Sequence, residues 1–354
     1  MKQFNFKKIL VGPDISIKQA LKRMDHGGRR VLFVATKNNK LLGALSDGDL
    51  RRALLQGCTL EDSIKGHYNA RPVFLEESAK GEAQRIFKEK SITAIPIVDT
   101  KKIMIECLFL DEIFEEAIED KKCLDIPVVI MAGGKGTRLD PFTRILPKPL
   151  IPVGHKAFVE VIMDHFKKEG ISDFYLIVNY KGEMIKSYFD NIDVDYNIRY
   201  IWEKKFLDTA GGLKLLPQSF KDTFMVSNCD NLITMDYADA LSFHKKNKNY
   251  LTIIGAFHHY KVPYGIILYE KHGKVTTIKE KPEYDMVINT GIYIVDKQVL
   301  KFIPKDRRFS MVDLINILLK KELPVGVFPV SEKSYVDIGQ WDEYNKNLKQ
   351  LTCR

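Results

Sequence analysis

Residues 1–120 pass twice through one pattern of apolar and polar positions. The first pass opens with Ile15-Ser16-Ile17-Lys18-Gln19-Ala20-Leu21-Lys22-Arg23-Met24, whose spacing predicts a short amphipathic helix. An apolar strand over 31–35, a polar turn over 37–40, a strand over 41–45 and a helix from Asp49 follow. The second pass predicts a helix over 82–88, strands over 94–98 and 103–108 around a turn at 99–102, and a helix over 111–118. A repeat of about 60 residues is too long for a solenoid unit. It predicts a two-fold pseudosymmetric α/β module.

The apolar period is lost in the charged stretch 115–122, and Asp125-Ile126-Pro127 opens a new apolar run. A linker near 120–124 would divide the chain into domains 1–122 and 123–354. Beyond it, strands over 128–132, 174–179, 198–202, 223–227, 251–257 and 287–295 alternate with helices over 158–168, 183–189, 209–216 and 237–246. Such alternation predicts a three-layer, Rossmann-like α/β fold with a mostly parallel sheet.

Composition changes this picture little: at 354 residues, 45% hydrophobic and 29% charged, the chain reads as about two soluble globular domains. No uncharged apolar run approaches the ~20 residues of a membrane span. The N-terminus lacks the apolar stretch of a signal peptide. Five scattered cysteines without a Cys-x-x-Cys pair read as reduced thiols, and a cytoplasmic location is expected. Charge adds more. With 55 Lys plus Arg against 46 Asp plus Glu, the net charge of +9 suits anionic partners. No arginine-rich helix, zinc finger or aromatic-interleaved basic stretch marks a nucleic-acid face, so phosphorylated small molecules are the expected partners, with no nucleic acid and no membrane.

The chemistry concentrates where strand 126–132 runs into Gly133-Gly134-Lys135-Gly136-Thr137-Arg138, with Lys148 following between Pro147 and Pro149. A glycine-rich loop leaving the carboxyl end of a buried strand lets backbone N–H groups approach phosphate oxygens. Two familiar phosphate loops do not fit. Lys135 is followed by Gly136 rather than Ser or Thr, and Leu139 stands where the dinucleotide fingerprint needs its third glycine.

Ala132-Gly133-Gly134-Lys135-Gly136-Thr137-Arg138-Leu139, with Pro147-Lys148-Pro149 and Pro152-Val153-Gly154, resembles the sugar-1-phosphate nucleotidyltransferase family. The likeness continues through Leu207-Asp208-Thr209-Ala210-Gly211, Ser227-Asn228-Cys229-Asp230, Tyr264-Gly265, Glu280-Lys281-Pro282, Asn289-Thr290-Gly291 and Asp337-Ile338-Gly339. It implies transfer of a nucleotidyl group from a nucleoside triphosphate to a sugar 1-phosphate, with pyrophosphate released. It also implies site roles. Arg138 and the loop Ala132, Gly133, Gly134, Lys135, Gly136 and Thr137 would hold the triphosphate, and Asp208, Thr209 and Ala210 would lie beside the base. Lys148 would bridge the α-phosphate and the incoming sugar phosphate, which Lys281 would grip. Gly265, Glu280, Asn289 and Thr290 would line the sugar site, and Asp230 and Asp337 would hold Mg²⁺, a hard ion suited to carboxylates.

The first half resembles a tandem CBS-domain pair. Gly43-Ala44-Leu45-Ser46-Asp47-Gly48-Asp49 matches the family's Gly-h-x-Ser/Thr-x-x-Asp, which implies a regulatory nucleotide held by Ser46 and Asp49. The equivalent hydroxyl in the second repeat is replaced by Leu108. A module that dimerises without a ligand is the alternative, and either use implies a homo-oligomer. A CBS pair ahead of such a transferase is similar to the guanylyltransferases that form GDP-glucosamine in bacterial legionaminic acid pathways. GTP and glucosamine 1-phosphate are therefore the expected substrates, with heptose or mannose 1-phosphate, or CTP, as alternatives; outside enzymes, the alternative is a non-catalytic nucleotide sensor. The chain departs from the family at Asp208, where the pattern has glycine. The carboxylate could accept hydrogen bonds from guanine or from a cytosine amino group, or it could cap a helix.

Overall fold

A computed structural model describes residues 5–90, 92–113, 124–339 and 344. The chain divides into two compact units, Met1–Glu119 and Asp120–Arg354. Most of the predicted linker, and the end of the helix predicted over 111–118, lie outside the described residues.

The first unit holds two copies of one motif. In the first, β1 (Leu10–Val11), β2 (Val31–Ala35) and β3 (Leu41–Ser46) form a sheet, with α1 (Ile17–Gly27) and α2 (Asp47–Leu55). The second repeats it as β4 (Leu75–Glu76), α3 (Ala83–Glu89), β5 (Ala94–Val98), β6 (Met104–Phe109) and α4 (Leu110–Ile113). Asn39 and Lys102 occupy equivalent left-handed turn positions, at φ 58° and 61°. The two turns bond reciprocally, Leu41 N–H to Lys102 O and Met104 N–H to Asn39 O, both at 2.9 Å. That exchange is the pseudosymmetry expected from the repeat. Capping boxes start α1 (Ser16 with Gln19) and α2 (Ser46 with Asp49).

The second unit is built on β7 (Val128–Met131), whose loop carries α5 (Phe142–Ile145), β8 (Pro152–Val153) and β9 (Lys156–Ala157). Then come α6 (Phe158–Lys168), β10 (Asp173–Val178), α7 (Gly182–Asp190), β11 (Asn197–Trp202) and α8 (Asp208–Gly211). The chain continues through β12 (Thr223–Asn228), β13 (Asn231–Ile233), α9 (Tyr237–Lys246), β14 (Leu251–Lys261) and the hairpin β15 (Ile266–Tyr269) and β16 (Val275–Lys279). It closes with β17 (Glu283–Asp296), α10 (Met311–Lys320), β18 (Val325–Val330) and β19 (Tyr335–Asp337).

Seven of these strands form the central sheet in the order β11-β10-β7-β12-β17-β14-β18. All neighbours are parallel except at β17, which runs against both β12 and β14. The sheet is buried on both faces, which its runs of Val and Ile anticipate. Val128 and Ile130 join the core beneath α6 and α9, while Val129 faces the one beneath α10. Phe158, Phe166, Phe174 and Phe224 are completely buried, each contributing roughly 2–3 kcal/mol of burial. Sequence periodicity did not mark α10, β18 or the β15–β16 hairpin. The helix expected over 209–216 is a single α-turn, α8, continued as a 3-10 turn over Gly212–Leu215. Among the described residues no helix is long and apolar enough to cross a membrane.

Candidate active site

The chain turns to one side of β7 to make β10 and to the other side to make β12, so a crevice opens at the carboxyl end of β7. Open α/β sheets bind ligands at such a point. Here the crevice is a cleft of about 290 Å³, bordered by Gly133, Gly134, Lys135, Gly136, Thr137 and Arg138 on one side. Lys148, Asp208, Thr209 and Asp230 complete the predicted residues that line it.

The loop is held from both ends. Gly136 has φ +67°, and a Cβ there would meet Lys148 Cβ at 2.9 Å and Thr143 Cγ2 at 3.0 Å, so the position requires glycine. Thr143 Oγ1 donates to Gly136 O at 3.1 Å. The Tyr180 hydroxyl, just past β10, donates in turn to Thr143 O at 3.2 Å. Lys181 Nζ caps the carbonyls of Arg144 at 2.5 Å and Ile145 at 2.8 Å. These bonds fix the segment from Arg138 to Lys148 against the sheet.

Asp230 and Asp337 are far apart in sequence and meet through a short ladder. β13 pairs antiparallel with β19, matching Asn231 to Asp337, and Ile338 N–H donates to Asp230 O at 3.1 Å. Asp230 is buried and forms an ion pair with Lys148. Asp337 Oδ1 accepts the Gly339 N–H at 2.6 Å. Burial pushes the Asp337 carboxyl above its ordinary range and the Gly339 N–H pulls it down; Asp230 raises it further, against Lys148 and Arg138. A Cβ added at Gly339 would lie 2.5 Å from Asp230 Oδ2, 2.9 Å from Asp337 Oδ1 and 3.4 Å from Lys148 Nζ. Two carboxylates thus converge on one small cradle beside an ammonium that already stands there as a cation. This donor set fits a hard divalent ion. Among the described residues no third His, Cys, Asp or Glu completes a cage, so waters and substrate phosphates would supply the remaining ligands, as Mg²⁺ prefers.

Other predicted residues lie elsewhere. Ala132 and Ala210 are fully buried. Ala132 contributes through its main chain, its N–H bonded to Ile177 O at 2.8 Å. Thr290 is buried with its hydroxyl on Ile254 O at 2.6 Å, and the Asn289 amide donates to Tyr293 Oη at 2.9 Å. Gly265, Glu280 and Lys281 sit on the exposed β15–β16 arm and its junction with β17, outside the residues lining the cleft. In the first unit, Ser46 and Asp49 are bound to each other at 2.6 Å and Asp49 to Arg52 at 2.5 Å, so the predicted nucleotide ligands also form a helix cap.

Sequence reasoning missed Glu203, which follows β11 and lines the cleft. In the run Trp202-Glu203-Lys204-Lys205 it looks like part of a solvated turn. It is instead only 6% exposed, and its Oε1 has no hydrogen-bond partner. Burial pushes its carboxyl up to about 7, against a hydrogen bond from the Leu207 main chain and with added repulsion from Asp208.

The nucleotidyl transferase family profile matches residues 127–353, and the CBS-domain profile matches residues 6–56. A UTP–glucose-1-phosphate uridylyltransferase from Synechocystis sp. is 31% identical over 250 residues, which cover 64% of this chain and 63% of that protein. A D-glycero-alpha-D-manno-heptose 1-phosphate guanylyltransferase from Campylobacter jejuni is 30% identical, covering 61% of this chain and 96% of the relative. Among solved structures, HddC from Yersinia pseudotuberculosis matches 64% of this chain and 99% of its own, with 28% identity and a TM-score of 0.51. That protein has also been solved in complex with GMP-PN, matching here at 27% identity and the same TM-score. With this family profile covering the whole described second unit from Pro127 onward, and its glycine-rich loop, lysine and paired aspartates meeting in one cleft, the chain belongs to the nucleotidyl transferase family and carries a CBS domain at its N-terminus.

Proposed function

We propose that the protein transfers a guanylyl group from GTP to a sugar 1-phosphate, glucosamine 1-phosphate in the first instance, and releases pyrophosphate. The observation that carries this reading is the convergence of Arg138, Lys148, Asp230 and Asp337 beside the amides of a glycine-rich loop. Attack at the α-phosphorus by a phosphate oxygen needs no general base, because that oxygen is already ionised near neutrality. Two anions must instead be brought together, and charge on the departing pyrophosphate must be stabilised.

The chain's own groups suit that task. Arg138 and the loop amides hold the triphosphate, and Lys148 exchanges its carboxylate partner for phosphate oxygens. A Mg²⁺ ion held by Asp230 and Asp337 would neutralise phosphate charge. Lys281 and Glu280 reach the sugar phosphate and sugar from the exposed arm. Guanine is favoured by the guanylyltransferases among the relatives and by the acidic character that Asp208 brings to the cleft.

Pyrophosphate release measured with Mg²⁺, crossing GTP, CTP and UTP with glucosamine, heptose and mannose 1-phosphates, tests the reading. Turnover confined to GTP with glucosamine 1-phosphate is the expected outcome. Another productive pair would replace the substrates and keep the reaction. Silence across the whole panel would overturn the enzymatic reading.

A further inference from the structure

The β15–β16 arm is where the second unit leaves most apolar surface uncovered. Half of the twenty large apolar side chains exposed among the described residues fall within residues 260–287. The strand register sorts them. Ile267 lies opposite Ile278 and Tyr269 opposite Val275, so these four side chains share one face of the hairpin. They are 55%, 64%, 71% and 53% exposed, respectively. At the root of the arm, Tyr260 of β14 pairs with Tyr284 of β17, and both are exposed as well. Among the described residues β15 and β16 pair only with each other, and an isolated two-stranded hairpin is marginally stable in water. An apolar face on such a hairpin calls for a second layer.

Size and charge say what that layer is. The exposed side chains of 260–287 present roughly 900 Å² of apolar surface, more than the roughly 300–600 Å² patch of a typical monomer and close to the ~800 Å² that each partner brings to a standard protein interface. An anionic headgroup surface or a nucleic acid would select for a basic arm. Here five lysines stand against three glutamates and one aspartate, a net +1 out of the +9 of the chain. Two copies of this chain, each strongly positive overall, can therefore approach through the arm with little repulsion. An identical hairpin offers a face of the same width and strand length, so a two-fold axis stacks one face on the other and closes the assembly.

We propose that the arm is a self-association surface: the face of Ile267, Tyr269, Val275 and Ile278 packs against the same face of a second copy. Glu280 and Lys281 directly follow β16, and a Cβ on Gly265, the residue before β15, would lie 3.0 Å from Glu280 Oε2. The second copy thereby steadies the residues that reach the sugar phosphate. That consequence rests on the proposed reaction, whereas the interface does not.

Sedimentation equilibrium of the full-length protein at micromolar concentration should give an even number of copies. Ile267→Lys combined with Ile278→Thr charges the face without setting like charges opposite each other across the strands. The double variant should have half the assembled mass, while its thermal midpoint moves by only a few degrees because both sites are exposed. Leu319→Lys, at a comparably exposed apolar site on α10, should leave the mass unaltered. In pyrophosphate release, the double variant should raise the KM for sugar 1-phosphate about tenfold and leave that for the nucleotide unchanged.

A monomeric or odd-numbered assembly of the unaltered chain, a double variant of unaltered mass, or an equal loss of mass in Leu319→Lys would each overturn the interface. Halved mass with an unchanged KM would keep the interface and overturn its effect on the sugar site. If nothing is turned over but the mass still halves, the reaction fails and the interface survives.

Discussion

Asp208 holds a backbone conformation, φ 69°, that non-glycine residues adopt at a cost, and its Oδ1 accepts the Thr209 N–H at 2.8 Å. Asp and Asn tolerate the left-handed region because a short polar side chain can bond locally, and that is what happens here. The family pattern has glycine at this place, so the strain is relieved by either residue type. Asp208→Gly should therefore leave stability within about 1 kcal/mol, since relief of strain offsets a more flexible unfolded chain. Asp208→Val loses the bond and clashes in the left-handed region, and should cost about 2 kcal/mol by urea unfolding. Equal stabilities for the two variants would show that the conformation is not strained. The side chain could be picked out from the sequence because it broke a pattern. Glu203 could not, because nothing in the spacing of a lone acid after a strand tells that its oxygen will be enclosed by Gly133 and Gly212.

At the scale of elements, the meeting of Asp230 and Asp337 depends on the ladder between β13 and β19, three residues on each side. Neither strand has an apolar run long enough to be read from periodicity, yet their pairing brings Asp337 to Asp230. Motif resemblance supplied both residues, while the reason they meet is visible only in the register. Strands with a buried core segment were legible: the predicted 31–35 and 94–98 coincide with β2 and β5, and 287–295 falls inside β17. The first residues of β17 extend into the exposed arm, where alternation gives no burial signal. The ladder also makes a prediction. Gly339→Ala puts a methyl group 2.5 Å from Asp230 Oδ2 and 2.9 Å from Asp337 Oδ1, so the carboxylates must separate. Pyrophosphate release should fall by at least about tenfold, and the Mg²⁺ concentration for half-maximal rate should rise. The midpoint of thermal unfolding should move by only a few degrees, because few groups outside the cradle shift. A loss of activity with unchanged metal dependence would count against the cradle as the ion's seat.

At the scale of the molecule, the two units carry separate cores, and a pH dependence can be assigned to one of them. His244 of α9 is buried in the second unit, 3% exposed, with Nδ1 2.9 Å from Thr252 Oγ1, while Asn249 Nδ2 donates to the same hydroxyl at 3.0 Å. Burial lowers its pKa from 6.5 to about 4, against a smaller opposing pull from Asp296. Between those values the unfolded chain binds a proton that the folded chain refuses. The stabilisation is therefore complete above pH 6.5 and drains away as the pH falls toward 4, by about 3 kcal/mol in all. Because the described residues of the core around the central sheet all belong to the second unit, residues 120–354 alone should unfold cooperatively and show the same acid limb. In the full chain, calorimetry should resolve two transitions, with only that of the second unit falling between pH 6.5 and 4 on this account. His244→Gln keeps a polar partner for Thr252 but has no proton to take up, so its acid limb should be shallower even if it is less stable at pH 7. A variant with the same pH slope as the unaltered chain would place the acid sensitivity elsewhere, in groups whose burial neither the apolar pattern nor α9 reveals.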